Sequence, residues 1–315
     1  MADGYEALRD SVAWFDLSGR GVIRVTGADR ARLLHAMCTN HVHELQPGQG
    51  CYAFFLNPQG RVLCDANILC ASGHFLLDTE PETAEKLCAH LDKYIIADDV
   101  TVENDTRATF IVAVEGPDAV RTVFALGAQP LDSEGSWTGW NSAVVARVSV
   151  TGGPGYRIFA PAEHREQLLS LLEARGVVTA DEDAVRTVRL ERGRPRYGDD
   201  ITDSHIAQET DQSRALHFNK GCYVGQEIVE RVRSRGHLNR ILTPLRIDAT
   251  VAPAPGTRIT AGEKDAGEIT SAAFSPGLGC VVALGYVRTE HLGQGTQLNA
   301  GGAAAMAIAS EALTK

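Results

Sequence analysis

The sequence predicts an α+β protein with antiparallel sheets that ends in a small β-barrel. Three observations carry this. Strand-like runs lead into helices twice in the same order, at offsets of 88 residues (Val22 to Phe110) and 81 residues (Phe75 to Tyr156). From Ile241 the texture changes to short alternating runs punctuated by Pro, Gly and Ser, the pattern of a small barrel. The length, 315 residues at 44% hydrophobic and 22% charged, is enough for two or three packed domains.

The elements follow in order. Gly21 to Thr26 reads as a strand, and Asp29 is a candidate N-cap for a helix carrying Leu33, Leu34 and Met37. Cys51 to Leu56 and Arg61 to Leu69 flank the turn signal Asn57-Pro58-Gln59-Gly60, so a hairpin is expected. Gly73 to Asp78 is a further strand, after which Pro81 opens a helix with Ala84, Leu87, Leu91 and Tyr94 on one face. Phe110 to Asp118 and the helix through Val123 and Leu126 repeat the first strand–helix start. Tyr156 to Glu163 and the helix with Leu168, Leu171 and Leu172 repeat the second. This order reads as an internal duplication; chance similarity of two strand–helix starts is the alternative. Expected domains are 1–105, 106–240 and 241–315.

The formal net charge of −10 argues against broad, sequence-independent nucleic-acid binding. No signal pattern opens the chain and no apolar run approaches ~18 residues, so neither export nor a membrane span is expected. Seven cysteines without a Cys-x-x-Cys exclude a disulfide framework or a zinc ribbon. They suit a reducing cytosol and offer no self-contained cluster motif. No dinucleotide fingerprint or Walker loop occurs, and Gly152-Gly153-Pro154-Gly155 reads as a turn. His41 and His43 alternate, but further metal ligands are not evident; His35 belongs to a helix.

The segment Lys220-Gly221-Cys222-Tyr223-Val224-Gly225-Gln226-Glu227 gathers the most chemistry. A helix should start near Gly225, with Ile228, Val229 and Val232 on one face, Glu227 and Arg231 paired, and Gly236 as its stop. Cys222 would then precede a helix N-terminus with Lys220 nearby, and both features favour the thiolate. The alternative is a small buried thiol. The eight residues resemble the K-G-C-Y-x-G-Q-E motif of the YgfZ family, folate-binding proteins of iron–sulfur cluster assembly and repair. That family is related to the T-protein (aminomethyltransferase) of the glycine cleavage system. The resemblance implies two interleaved α+β domains followed by a barrel, with tetrahydrofolate as ligand and iron–sulfur proteins or assembly factors as partners.

Arg189-Leu190-Glu191-Arg192-Gly193 through Tyr197-Gly198-Asp199-Asp200-Ile201 is similar to the T-protein segment R-L-E-x-G-x-x-x-Y-G-x-D-I. That similarity assigns Glu191 to the pteridine and places Tyr197 in the same cofactor-binding segment. A carboxylate can accept two adjacent N–H groups of a pterin in one plane. Pairing with Arg189 or Arg192 is the alternative. Asn57 to Asp65 resembles N-x-x-G-G-I-L-D-D, which puts Asp65 on the catalytic aspartate; Arg61 and Cys64 depart from the pattern. Asp65 could serve as a base or charge stabiliser, or as a strand-end turn acceptor.

Arg231, Arg233, Arg235, His237 and Arg240 form a local cationic cluster suited to folate-tail carboxylates or a phosphate-bearing partner, or else a solvated helix face. The expected function is therefore a cytoplasmic tetrahydrofolate-binding protein supporting iron–sulfur assembly. Cys222 and Asp65 are its chemical residues, and Glu191, Asp65, Tyr197, Lys220, Arg231 and Arg240 hold the cofactor. The rivals are a tetrahydrofolate-dependent aminomethyltransferase and a tRNA-modification accessory factor.

Overall fold

A computed structural model describes residues 2–236, 238–293 and 296–308. His237 lies outside the described residues, as does the side chain of Arg235. No helix of the described residues is long and apolar enough to cross a membrane.

The first sheet runs in the order β3 (Gly50–Leu56), β4 (Val62–Cys70), β5 (Phe75–Thr79), β2 (Gly21–Thr26), β6 (Thr101–Asn104). The second runs β11 (Val178–Thr179), β1 (Ala13–Asp16), β7 (Thr109–Glu115), β10 (Gly155–Pro161), β9 (Ala143–Ala146), β8 (Trp137–Trp140). Each sheet places its strands in the same relative order, as a duplication requires. The place beside β7 that corresponds to β6 is filled by β1, from the start of the chain, so the two units are interleaved. All pairings are antiparallel except β1 with β11.

Each sheet packs one face on its own helices. In the first unit α2 (Arg30–Met37) and α3 (Ala84–Asp92) bury Leu34, Met37, Leu87 and Leu91 against β2, β4 and β5. In the second, α4 (Ala119–Ala125) and α5 (Arg165–Glu173) bury Val123, Leu168 and Leu172. Val22, Leu69 and Leu76 from one sheet meet Ile111, Ala146 and Phe159 from the other. The barrel closes in the order β12 (Arg240–Ile247), β15 (Cys280–Arg288), β14 (Lys264–Ser275), β13 (Arg258–Ala261), β16 (Leu298–Ala300), β17 (Ala303–Ala307). Helix α6 (Glu182–Glu191) lies between α1 (Ala2–Asp10) and barrel strands β14 and β15.

Two local expectations change. Asp29 stands at the N-cap of α2, but its carboxylate accepts the Asp99 N–H at 2.9 Å and makes no cap bond. Asp99 in turn accepts the Ala28 N–H at 2.9 Å, so the two aspartates brace the turn to the segment before β6. On α7 (Gln226–Arg235) the ion pair joins Glu230 and Arg233 rather than Glu227 and Arg231.

Candidate functional site

Asp65 lies on β4, where alternate residues face opposite sides. Cys64 falls on the core side, buried among Phe55, Ile68 and Leu77. Asp65 falls on the other and lines a cavity of about 640 Å³. The cysteine that departs from the D-D pattern thus sits in apolar packing, away from the cavity. Arg61, the other departure, is at the hairpin turn, where its N–H is bound by Asn57 Oδ1 at 2.9 Å and its guanidinium bonds the Ser204 carbonyl.

The Asp65 carboxylate is buried. One oxygen accepts the Tyr52 hydroxyl at 2.6 Å, and the other has no partner. Burial pushes its pKa up to about 6, with the Glu80 carboxylate adding to the rise. Two further residues of the same cavity hold buried polar atoms without a partner, Trp14 Nε1 and Arg157 Nε. One carboxylate oxygen and two N–H donors without protein partners thus belong to residues that line one void. The volume is that of a small-molecule site.

A charged lattice holds the cavity wall. Asp78, at the end of β5, is fully buried; Arg20 Nε donates to it at 2.6 Å, and Arg157 bonds its other oxygen. Arg20 also pairs with Glu80. Burial alone would raise the Asp78 pKa, but Arg157 and Arg20 outweigh it and hold the carboxyl below its usual range. Arg214 lies 4.0 Å over the Tyr52 ring and donates to Glu134 at 2.6 Å. Burial, followed by the like charge of Arg194, pushes its pKa down to about 10.

Glu191 is not in this wall. It ends α6 and its carboxylate is buried, accepting the hydroxyls of Tyr5 and Ser275, each at 2.5 Å, with Arg9 Nε at 3.6 Å. It lines a second cavity of about 650 Å³, which shares Ser149 and Arg194 with the first. Tyr197 is buried and donates to the Leu63 and Val62 carbonyls at 2.5 and 3.2 Å, fastening the segment after α6 to β4.

The Lys220–Glu227 segment builds a rigid loop outside both cavities. Lys220 Nζ donates to the carbonyls of His35, Cys38 and Asn40 at 2.6, 2.5 and 2.8 Å, so its charge is committed to the C-terminal end of α2. Burial lowers its pKa. Gly225 caps α7 at φ +83°, and a Cβ there would stand 2.7 Å from the Asn57 carbonyl. Gly60 (φ +72°) would place one 2.6 Å from Ile228. The two glycines let the hairpin turn and α7 touch. Cys222 is exposed, which replaces the buried-thiol alternative. Of the two features expected to favour its thiolate, Lys220 points elsewhere, while α7 does begin four positions further on.

His35, His41, His43 and His217 gather beside this loop with ring centroids 4.7 to 5.8 Å apart. His35 Nδ1 accepts the N–H groups of Val42 and His43, and His217 Nδ1 accepts that of Asn219. Among the described residues, no group of three or more His, Cys, Asp or Glu is placed to hold a metal.

The cationic cluster does not converge. Arg231 and Arg233 lie on the exposed face of α7, Arg233 over the Phe218 ring. Arg240 starts β12, pairs with Glu209 at 3.3 Å and covers Tyr286. None of them lines either of the two large cavities. Sequence reasoning missed Trp14, Tyr52, Asp78 and Arg157. The available signal was a charged residue within an apolar strand run, at Leu76-Leu77-Asp78 and Tyr156-Arg157-Ile158.

Two interleaved α+β units, a closing barrel and a buried carboxylate in an arginine-lined cavity define the class: an α+β protein with a cavity of small-molecule size. The sequence matches the GCVT N-terminal domain family over residues 1–220 and the glycine cleavage T-protein C-terminal barrel domain over residues 240–310; the chain belongs to this family. It is 31% identical over 316 residues to an aminomethyltransferase of Cutibacterium acnes, covering 94% of this chain and 84% of the relative. It is 30% identical over 294 residues to one of Rubrobacter xylanophilus (91% and 78%). The crystal structure of glycine cleavage system aminomethyltransferase T from Bartonella henselae superposes with a TM-score of 0.90 at 21% identity, covering 99% of this chain and 89% of that one, a likeness of fold.

Proposed function

We propose that the chain is a tetrahydrofolate-dependent one-carbon transferase of the aminomethyltransferase type, with the pterin in the Asp65 cavity. The observation that carries the reading is the buried Asp65 carboxylate, one oxygen of which has no protein partner, on a residue that lines a cavity of about 640 Å³. Tetrahydrofolate, when bound, supplies the secondary amine that accepts a one-carbon unit. Asp65 orients that amine and holds or receives its proton; a carboxyl with a pKa near 6 changes charge close to neutral pH. Tyr52 keeps the carboxylate in place by hydrogen bond, and Trp14 and Arg157 offer N–H donors to ring acceptors. Glu191 has Oε1 held by Tyr5 and Ser275 and Oε2 beside Arg9, and it lines the second cavity rather than the one beside Asp65.

The relatives' names favour this transferase reading over iron–sulfur support. The second reading keeps one specific observation, the exposed Cys222 on a loop pinned by Lys220. The free thiols suit a reducing cytosol for either.

The test is calorimetric titration with tetrahydrofolate, together with an assay of methylene transfer from an aminomethylated lipoyl carrier. Wild type should bind and transfer. Asp65→Asn should lose roughly 10²–10⁴-fold in transfer, the range for a general base. Transfer by Asp65→Asn at the wild-type rate would overturn the reading. Binding without transfer in wild type, with loss of iron–sulfur enzyme activity in Cys222→Ala cells, would move the function to the second reading.

A further inference from the structure

The hydroxyl of Tyr52 reaches Asp65 at 2.6 Å, and the ring behind it has a partner of its own. The Arg214 guanidinium lies 4.0 Å over the ring centroid, while Phe54 meets the ring edge-on at 5.6 Å. Arg214 belongs to a single helical turn (Ser213–Ala215) that two residues staple to β3. Asn40 Nδ2 donates to the carbonyls of Tyr52 and Arg214 at 2.8 and 2.9 Å. Thr39 donates its hydroxyl to the Ala215 carbonyl at 2.6 Å and accepts the Phe54 N–H at 2.9 Å. Backbone contacts thus hold the cation and the ring in one frame.

The acid partner of Arg214 does not account for this placement. Glu134 is more than half exposed and is shared with Arg194, and an exposed ion pair holds a side chain weakly. The aromatic face supplies the rest, since a guanidinium is attracted to it electrostatically. Burial and then the Asp65 charge push the Tyr52 phenol well above its usual range, and the Arg214 charge opposes both. A phenol made more acidic is a stronger donor, and a hydrogen bond to a carboxylate favours its charged form. Asp65 is otherwise faced by Glu80 and Asp78, which raise its pKa, and by Arg20, which lowers it. Arg157 and Arg196 are committed to those same two acids.

We propose that Arg214 is a positioning residue for Asp65 that acts through Tyr52: it polarises the phenol, and the phenol in turn holds the carboxylate in its charged form. Arg214 pairs with Glu134 and lies on the ring, and it makes no ion pair with Asp65 among the described residues. The consequence for catalysis rests on the transferase reading of this cavity; the link from Arg214 to Asp65 does not.

Carboxyl NMR of the full chain labelled in aspartate, titrated through the neutral range, tests the link; the Asp65 signal is the one lost in Asp65→Asn. Arg214→Gln should move the Asp65 titration to higher pH by about half a pH unit, and Tyr52→Phe by about one or more. In the Tyr52→Phe background, Arg214→Gln should add nothing further. Arg214→Met, which keeps an apolar side chain on the ring, should repeat the Arg214→Gln result and takes its place if melting curves show that variant unfolded. Arg233→Gln, which strips a similar contact from Phe218, should leave Asp65 as in wild type. The Asp65 limb of the pH profile for methylene transfer should move with the NMR titration. An unmoved Asp65 in a folded Arg214 variant, equal effects of Arg214→Gln with and without the Tyr52 hydroxyl, or the same shift in Arg233→Gln would each overturn the proposal. A moved carboxyl in a chain without transfer activity supports it and removes the transferase reading instead.

Discussion

The two large cavities share Ser149 and Arg194 yet treat arginine in opposite ways. In the first, Arg20, Arg157, Arg189 and Arg196 all pair with carboxylates, and so do the other arginines of its wall. There the guanidiniums are scaffolding, and the free functional groups are Asp65, Trp14 and the Arg157 Nε. In the second, Arg147, Arg192 and Arg246 make no ion pair among the described residues, and Glu191 has Oε1 held by two hydroxyls with Oε2 3.6 Å from Arg9. A net-charge count would rank the two alike, with eight arginines against six acids in the first and five against three in the second. Pairing separates a wall braced by ion pairs from one in which Arg147 and Arg192 bond carbonyls and a hydroxyl instead.

Substitutions can break this contrast, beginning with the strongest. Asp78→Ala strands the buried Arg157 guanidinium and leaves Arg20 with Glu80 alone, and should cost about 3–5 kcal/mol, read by urea unfolding. A loss under about 1 kcal/mol would mean that the lattice is not structural. Asp65→Asn should act in the other direction. The folded chain holds the Asp65 proton more tightly than the unfolded chain, so Asp65 costs stability at neutral pH, and that cost disappears as pH falls from about 6 toward about 4. The variant should therefore be more stable than wild type by about 1–3 kcal/mol at pH 7.5, with the gap closing by pH 4. Melting curves across that range check it.

Glu134→Gln frees Arg194 and Arg214 together. The pairs are partly exposed, so stability should change by no more than about 1 kcal/mol. Urea unfolding checks it, and a larger loss would make Glu134 part of the structural lattice. Arg246→Gln removes a side chain without an acid partner and should alter stability by less than about 0.5 kcal/mol. A large loss would show that this arginine, too, is scaffolding.

Much of the layout was legible because it is written in local periodicity. The Asn57–Gly60 turn, the alternation that separates Cys64 from Asp65, and the repeated strand–helix starts are all short-range patterns. The pairing lattice was not legible. Arg20 and Arg157 reach Asp78 across 58 and 79 residues, and no spacing rule links them. The motif around Glu191 was readable as a string, but its seal was not, because Tyr5 and Ser275 come from opposite ends of the sequence. The loop at Cys222 was read for its thiol. Most of its signature residues turn out to fix backbone: Lys220 on three carbonyls and Gly225 against the hairpin.

Tyr5 also sets a schedule. Its hydroxyl joins Glu191 and the Ser275–Gly277 turn, the latter 270 residues further along the chain. At a synthesis rate of about 5–20 residues per second, the ribosome needs roughly 15–50 s to deliver that turn after making Tyr5. Strand β1 gains its neighbour β7 by Glu115 and helix α1 its neighbour α6 by Glu191, so only the Tyr5 contact with the barrel turn waits that long. The segment is fastened in steps, and a nascent chain halted before the barrel would lack the last of them.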